Sequence, residues 1–188
     1  MVAKNSIYWD TSIFYALIKG EDHQNGELDY IKNQATMFDK GTFTIYTSCI
    51  TISEVLLGHF DSEIQRDKFK KFCDRSNLIL LNVTKNISVL SAEIRNYYYE
   101  NPVIVKNGKN LYPDCSDSIH VATAILTKNL IKDPEFKLLT LDSNHKQKHQ
   151  ESSLTGLSIH GKIADKYELE IIRPSQALNE GGLFNSAS

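Results

Sequence analysis

The sequence predicts an α/β fold in which a parallel sheet of about five strands is flanked by helices on both faces. Short apolar segments rich in β-branched and aromatic residues recur along the chain, and segments with helical spacing of apolar residues separate them. The length of 188 residues, with 41% hydrophobic and 23% charged residues, suits one globular domain with its own core. We therefore predict one domain over residues 1–176 and a disordered tail at 177–188.

The first half of the chain alternates strands with helices. Residues 6–9 form a β-prone run that ends at Asp10, and Thr11 and Ser12 can cap the helix expected over 13–18. The other elements predicted in this half are a helix at 28–39, a strand at 42–47, helices at 50–60 and 62–74, and a strand at 78–81.

The second half continues the alternation, with two polar interruptions. A polar loop containing Pro102, Gly108 and Pro113 follows a helix at 86–99. The remaining predicted elements are a helix at 116–128, a strand at 137–141 and a last strand at 167–172, which Pro174 stops. Residues 143–165 form a polar stretch without a periodic pattern.

Bulk properties bound the function without assigning it. The net charge of −2 and a pI of about 6.3 neither indicate nor exclude nucleic-acid binding, because the average hides the local negative charge of a carboxylate-lined metal site. No apolar run reaches the roughly 18 residues of a membrane span, and no signal core opens the chain, so we expect a cytoplasmic protein without a membrane partner. Cys49, Cys73 and Cys115 are expected to be reduced, buried thiols.

Four acidic residues stand where a parallel sheet would bring them together. Asp10 and Asp142 each follow an apolar strand directly, Glu54 lies in the helix after the second strand, and Asp117 lies in the first turn of a later helix. In open α/β sheets, sites gather beyond the carboxyl ends of the strands. Clustered carboxylates repel one another unless a hard cation binds them, and Mg²⁺ and Mn²⁺ prefer such oxygen ligands. The pattern therefore predicts a metal site at this edge.

Four short motifs around these acids resemble those of PIN-domain nucleases. The motifs are Asp10-Thr11-Ser12, Thr51-Ile52-Ser53-Glu54-Val55, Asp117-Ser118-Ile119-His120-Val121-Ala122-Thr123-Ala124 and Leu138-Leu139-Thr140-Leu141-Asp142. Each is weak by itself, but the four occur in the family's order and spacing over residues 6–142. The subgroup that the chain resembles most is the VapC-type toxins of type II toxin–antitoxin systems.

The resemblance implies a PIN-like fold and a metal-dependent endoribonuclease that hydrolyses RNA phosphodiester bonds. It implies that Asp10, Glu54, Asp117 and Asp142 are catalytic and hold Mg²⁺ or Mn²⁺, and that Ser12 orients Asp10 or a metal-bound water. It further suggests an antitoxin partner and a homodimer. Two features depart from the family: the extra polar sequence at 143–165, and His120 at a position where many relatives have an apolar residue.

Several residues have a structural interpretation beside the functional one. Asp114 resembles the N-cap of the helix that contains Asp117, and His120 is favoured as a packed side chain over a metal ligand. His145 and His149, with the lysines between them, either form a solvated surface or contact phosphate. The three tyrosines Tyr97, Tyr98 and Tyr99 are favoured as core or dimer contacts over stacking partners for bases.

Two other classes of protein are alternatives to the nuclease. A phosphatase of the haloacid-dehalogenase type would need a second aspartate where Ser12 stands. A PIN-like module that binds RNA or protein without cleaving it is the non-enzymatic alternative.

Overall fold

The computed structural model describes residues 5–23, 26–56, 60–101, 103–104, 110–111, 113–142 and 166–175. The predicted tail at 177–188 and the whole polar stretch at 143–165, including His145 and His149, lie outside the described residues. The predicted domain boundary at residue 176 therefore stays a prediction.

The described elements follow the predicted alternation. The helices are α1 (Thr11–Lys19), α2 (Glu27–Asp39), α3 (Ile50–Leu56), α4 (Glu63–Cys73), α5 (Lys85–Glu100) and α6 (Cys115–Ile131). The strands are β1 (Asn5–Trp9), β2 (Phe43–Ser48), β3 (Leu78–Leu81), β4 (Val103–Ile104), β5 (Asn110–Leu111), β6 (Lys137–Leu139) and β7 (Glu170–Ile172).

Five strands form one parallel sheet, which confirms the predicted fold class. The strand order is β3-β2-β1-β6-β7, and every neighbouring pair is parallel. Strands β2 and β3 lie on one side of β1, and β6 and β7 lie on the other side. The strand order therefore reverses between β1 and β6. In α/β sheets, a crevice opens at the carboxyl edge at this point.

Alternation of side chains along the strands builds a core on each face of the sheet. In β1, Ile7 and Trp9 pack on one face and Tyr8 on the other, as the two-residue period of a strand requires. Helices α1, α2 and α4 cover the first face, where Phe14 and Phe72 pack against Trp9 and Phe69 packs against Phe14. Helices α5 and α6 cover the second face.

The structure corrects four of the predicted elements. The polar loop after α5 contains the antiparallel pair β4–β5, because β-branched Val103 and Ile104 favour extended backbone and pair with residues 110–111. The last strand begins at Glu170 and not at 167, since residues 166–167 form a helical turn and Glu168 has a positive φ of 55°. The helix predicted to reach Phe60 is described only to Leu56, and Phe60 itself is not helical.

The fourth correction concerns Asp142, which does not follow its strand directly. Strand β6 ends at Leu139, so Thr140 and Leu141 separate it from Asp142. The backbone N–H groups of Leu141 and Asp142 donate to the hydroxyls of Ser12 and Thr140, which replace sheet partners there. The strand therefore ends early because side chains take over its hydrogen bonds.

The three cysteines are free thiols, but the prediction that they are buried is wrong. Cys49 and Cys73 are half-buried, and Cys115 is exposed because it occupies the first residue of α6. Within the described ranges, no helix is both long and apolar enough to cross a lipid bilayer.

Candidate active site

Asp10 is the N-cap of α1 and lies at the carboxyl end of β1, beside the reversal in strand order. Its Oδ1 accepts from the backbone N–H of Thr11 at 2.7 Å. Its Oδ2 accepts from the hydroxyls of Ser12 and Thr140, both at 2.8 Å. Capping was expected from Thr11 and Ser12; Asp10 itself takes that position, because its carboxylate accepts from the first N–H of the helix. These bonds hold the carboxylate in one orientation.

Glu54 is joined to the same centre from α3. Its Oε2 accepts from Nε2 of His120 at 3.0 Å and from the hydroxyl of Thr11. Thr11 thus bonds one acid through its backbone and a second through its side chain. This double contact connects Asp10 with Glu54 through one residue at the start of α1.

His120 is buried beneath these acids. Because a carboxylate only accepts, Nε2 must carry a proton to bond Glu54. The other ring nitrogen, Nδ1, lies 2.8 Å from the hydroxyl of Tyr8, and Nε2 also lies 3.7 Å from Oδ1 of Asp10. His120 is therefore a packed, buried side chain, as the sequence predicts, and it also provides a hydrogen bond that orients Glu54.

Asp117 lies in the first turn of α6, above His120. The carboxylate of Asp114 accepts from the backbone N–H of Asp117 at 2.8 Å, which confirms the prediction that Asp114 is the N-cap of α6. Asp117 is part-buried, and its pKa is raised to about 9 by burial and by the negative charges of Asp114, Asp10, Asp142 and Glu54. Its carboxyl group consequently holds a proton at neutral pH unless a cation compensates the surrounding charge.

In the Glu54–His120 pair, unlike in Asp117, the pKa shifts favour the charged form of each side chain. Burial favours the neutral form of Glu54, but the hydrogen bond and charge of His120, with bonds from Ser116 and Thr11, outweigh it and lower the Glu54 pKa to about 2. Burial also opposes the charged form of His120, yet the hydrogen bond to Glu54 and the charge of Asp10 raise the pKa of the imidazole. The site thus contains one acid that gains a cationic partner and another, Asp117, that lacks compensation.

The four predicted acids share one edge of the sheet. The Thr140 hydroxyl donates to the Asp10 carboxylate and accepts from the backbone N–H of Asp142. Thr11 bonds both Asp10 and Glu54. The negative charges of Asp10, Glu54 and Asp142 all act on Asp117. In the described part of the chain, however, no group of three or more histidine, cysteine or carboxylate side chains is arranged to hold a metal ion as it stands. The donor set suits a hard cation, whereas Glu54 is turned toward His120 and Thr11.

Sequence reasoning missed three residues that organise this site. Thr11 and Thr140 donate to the acids, and Tyr8 supports His120 from within β1. Thr11 and Thr140 lie inside the recognised motifs, next to an acid or two residues before one, which is the available signal. Tyr8 offers none, because an aromatic residue in a strand is expected to be core.

The sequence is similar to one known protein family. The family model of the PIN domain matches residues 7–149. The chain belongs to the PIN-domain family. Searches among curated proteins found no match.

Solved structures support the PIN fold. One similar chain comes from the structure of VapBC2 from Rickettsia felis bound to a DNA fragment from the VapBC2 promoter. It is 17% identical to this chain with a TM-score of 0.51, and the match covers 89% of this chain and 98% of that chain. A chain of DNA-bound VapBC from Salmonella typhimurium is 13% identical with a TM-score of 0.50, over 90% and 98%. At these identities, the likeness extends to the fold of this PIN-domain protein and not to its activity.

Proposed function

We propose that this PIN-domain protein is a Mg²⁺- or Mn²⁺-dependent endoribonuclease that hydrolyses RNA phosphodiester bonds. The observation that carries the proposal is the clustering of acidic side chains at the carboxyl edge of the sheet, where burial and the charges of Asp114, Asp10, Asp142 and Glu54 raise the pKa of Asp117. Such a cluster raises the free energy of the metal-free protein at neutral pH and favours a divalent cation. Membership of the PIN-domain family supports the same reaction class.

The acids have distinct roles in this proposal. Asp10 and Asp142 would hold the cation from the ends of β1 and β6, Asp117 would hold it from α6, and Glu54 would act through a water molecule because His120 and Thr11 already occupy its Oε2. When bound, the cation supplies a lowered pKa for an attacking water and shields the charge that develops on phosphate oxygens.

The chain's own side chains orient these groups and move the proton. Ser12 donates to Oδ2 of Asp10 and accepts from Leu141, so it orients Asp10 relative to the segment that carries Asp142. A carboxylate that is not fully committed as a ligand can accept the proton of the attacking water.

We also propose that the protein is a cytoplasmic toxin of a toxin–antitoxin pair and forms a homodimer. The similar solved chains come from VapBC complexes, which supports an antitoxin partner. The exposed apolar side chains Val89 and Tyr99 on α5 support a contact between copies. Light scattering over a range of concentrations tests the dimer, and a monomer throughout would contradict it.

The nuclease proposal is tested with a panel of single-stranded and structured RNAs incubated with Mn²⁺, Mg²⁺ or EDTA. We expect cleavage with either metal, none with EDTA, and a loss of at least about 1,000-fold in Asp10→Asn and Asp117→Asn, because each change removes a ligand charge at nearly constant volume.

Asp133→Asn is the matched control. Asp133 is also a part-buried, hydrogen-bonded aspartate, but it bonds Ser6 at the amino end of β1, so its amide variant should cleave normally. Cleavage that survives EDTA and Asp10→Asn would contradict the proposal. RNA binding without cleavage by the wild type would favour the binding module.

A further inference from the structure

A buried ion pair lies next to the acid site and outside its machinery. Arg173 follows β7 and Glu27 is the first residue of α2, and their side chains are 7% and 1% exposed. The guanidinium donates from Nε to Oε1 of Glu27 at 2.6 Å and from Nη2 to Oε2 at 3.0 Å. This two-bond geometry fixes the plane of the guanidinium.

A further bond of the guanidinium reaches the segment that carries Asp142. Nη1 of Arg173 donates to the carbonyl oxygen of Leu141 at 2.8 Å. The N–H of the same peptide unit belongs to Asp142 and donates to Thr140 Oγ1 at 3.0 Å. Both ends of the peptide bond before Asp142 are therefore held, one by Arg173 and the other by the hydroxyl that also bonds Asp10.

This support comes from a part of the chain beyond the family match. The PIN family model ends at residue 149, whereas Arg173 reaches back from the end of β7. Strand β6 ends at Leu139 and Thr140 makes the last backbone bond to β7, so the sheet ladder no longer orients Leu141 and Asp142. Arg173 supplies a substitute constraint where the strand has stopped.

We propose that Arg173, held in place by Glu27, is a positioning residue that sets the backbone of Asp142 for metal binding. The inference rests on the proposed function, in which Asp142 is a metal ligand. The arginine contacts neither metal nor substrate in this assignment. It acts through the Leu141 carbonyl, and Glu27 acts through the arginine.

The test uses the full chain and a double variant, Glu27→Met/Arg173→Met. Removing both charges avoids a lone buried ion and keeps side chains of similar length, so the variant is expected to fold. The control is Lys137→Met/Glu170→Met, which removes an ion pair of 2.9 Å between β6 and β7 at the ends of these strands that lie away from Asp142.

Two measurements are made on each protein. Amide hydrogen exchange of the metal-free protein compares Leu141 and Asp142 with Asp10 and Thr140, whose N–H groups donate to backbone carbonyls of neighbouring strands. Calorimetric titration with MnCl₂ measures metal affinity. We expect exchange at Leu141 and Asp142 to accelerate about tenfold relative to Asp10 and Thr140, and Mn²⁺ affinity to fall about tenfold. The control should change neither.

The outcomes separate this inference from the proposed function. Unchanged relative exchange overturns the inference, as does faster exchange with unchanged Mn²⁺ affinity, because the peptide would then be held without effect on the site. If the wild type binds no Mn²⁺, the proposed function fails, and the relative exchange alone decides whether Arg173 positions the peptide of Asp142.

Discussion

Glu27 and Glu54 each have a basic partner, yet the two pairs occupy different surroundings. The Glu27 side chain is 1% exposed and both of its oxygens accept from Arg173. The Glu54 side chain is 25% exposed, and its Oε2 accepts from buried His120. The first pair is a two-bond guanidinium–carboxylate contact, whereas the second contains an imidazole, the side chain that titrates nearest to neutral pH.

This difference distinguishes an anchoring carboxylate from one that can meet a ligand. Arg173 bonds both carboxylate oxygens of Glu27, and this buried ion pair joins α2 to the end of β7. Glu54 keeps access to solvent at the edge of the sheet where Asp10 and Asp117 lie. In the sequence, Glu27 stands just before an apolar helical pattern and Glu54 stands inside one, and neither position indicates the partner of the acid.

Breaking the anchoring pair should give the largest effect on stability. Arg173→Leu leaves the Glu27 carboxylate buried without its guanidinium, so we expect the free energy of unfolding to fall by about 3–5 kcal/mol. Urea unfolding followed by circular dichroism measures this change. A loss below about 1 kcal/mol would mean that Glu27 finds water or another donor, and the contrast with Glu54 would disappear.

The uncompensated acid should make the metal-free protein less stable as pH rises. The folded pKa of Asp117, about 9, is above the unfolded value of about 3.9, so its protonated form favours the fold. This contribution is fully present below the unfolded pKa and is lost as pH rises through the folded pKa. Stability of the metal-free protein should therefore fall as pH rises between these two values.

Asp117→Asn should remove that slope, and thermal unfolding in EDTA from pH 4 to 9 measures it. At pH 7.5, Mn²⁺ should raise the wild-type melting temperature, with about 2.7 kcal/mol gained at 100 times Kd. The variant should melt higher without metal and lose most of the Mn²⁺ gain. Parallel pH curves, or a full Mn²⁺ gain in the variant, would show that Asp117 only supports the start of α6.

Glu54 should show the opposite pH dependence at lower pH. Its folded pKa of about 2 is below the unfolded value of about 4.3, so its contribution is present above the unfolded pKa and is lost as pH falls through the folded pKa. The stability gap between the wild type and Glu54→Gln should therefore close from pH 5 to pH 2. Denaturant unfolding in this range measures the gap, and a constant gap would assign Glu54 a role independent of its charge.

The smallest effect is expected from the partner of Glu54. His120→Leu removes the Nε2–H donor and leaves the buried Tyr8 hydroxyl without this contact, at a cost of about 1–2 kcal/mol. His120→Gln can still donate to Glu54 and should recover part of the stability and of the RNA cleavage. If the two variants unfold and cleave alike, the hydrogen bond to Glu54 is not what His120 contributes.

The order of residue types predicted the fold class and the positions of most of the acidic residues. The two-residue period in β1 and the helical spacing in α2 and α6 follow from burial of one face, so the α/β class and the five-stranded parallel sheet were predicted correctly. Asp10 could be assigned to a strand end and Asp117 to a first helical turn, since both positions depend on local sequence. Asp142 was placed next to its strand, although β6 ends three residues earlier, because a hydroxyl distant in sequence replaces the ladder.

The sequence by itself determined which segments bury apolar side chains and which acids emerge at the carboxyl edge. Only the tertiary structure decided the partners: Glu27 with Arg173 across 146 positions, and Tyr8 with His120 across 112. Periodicity specifies the face on which a side chain lies, but not the group opposite it. That group depends on strand order and helix packing, which bring donors and acceptors together from segments with no local relation.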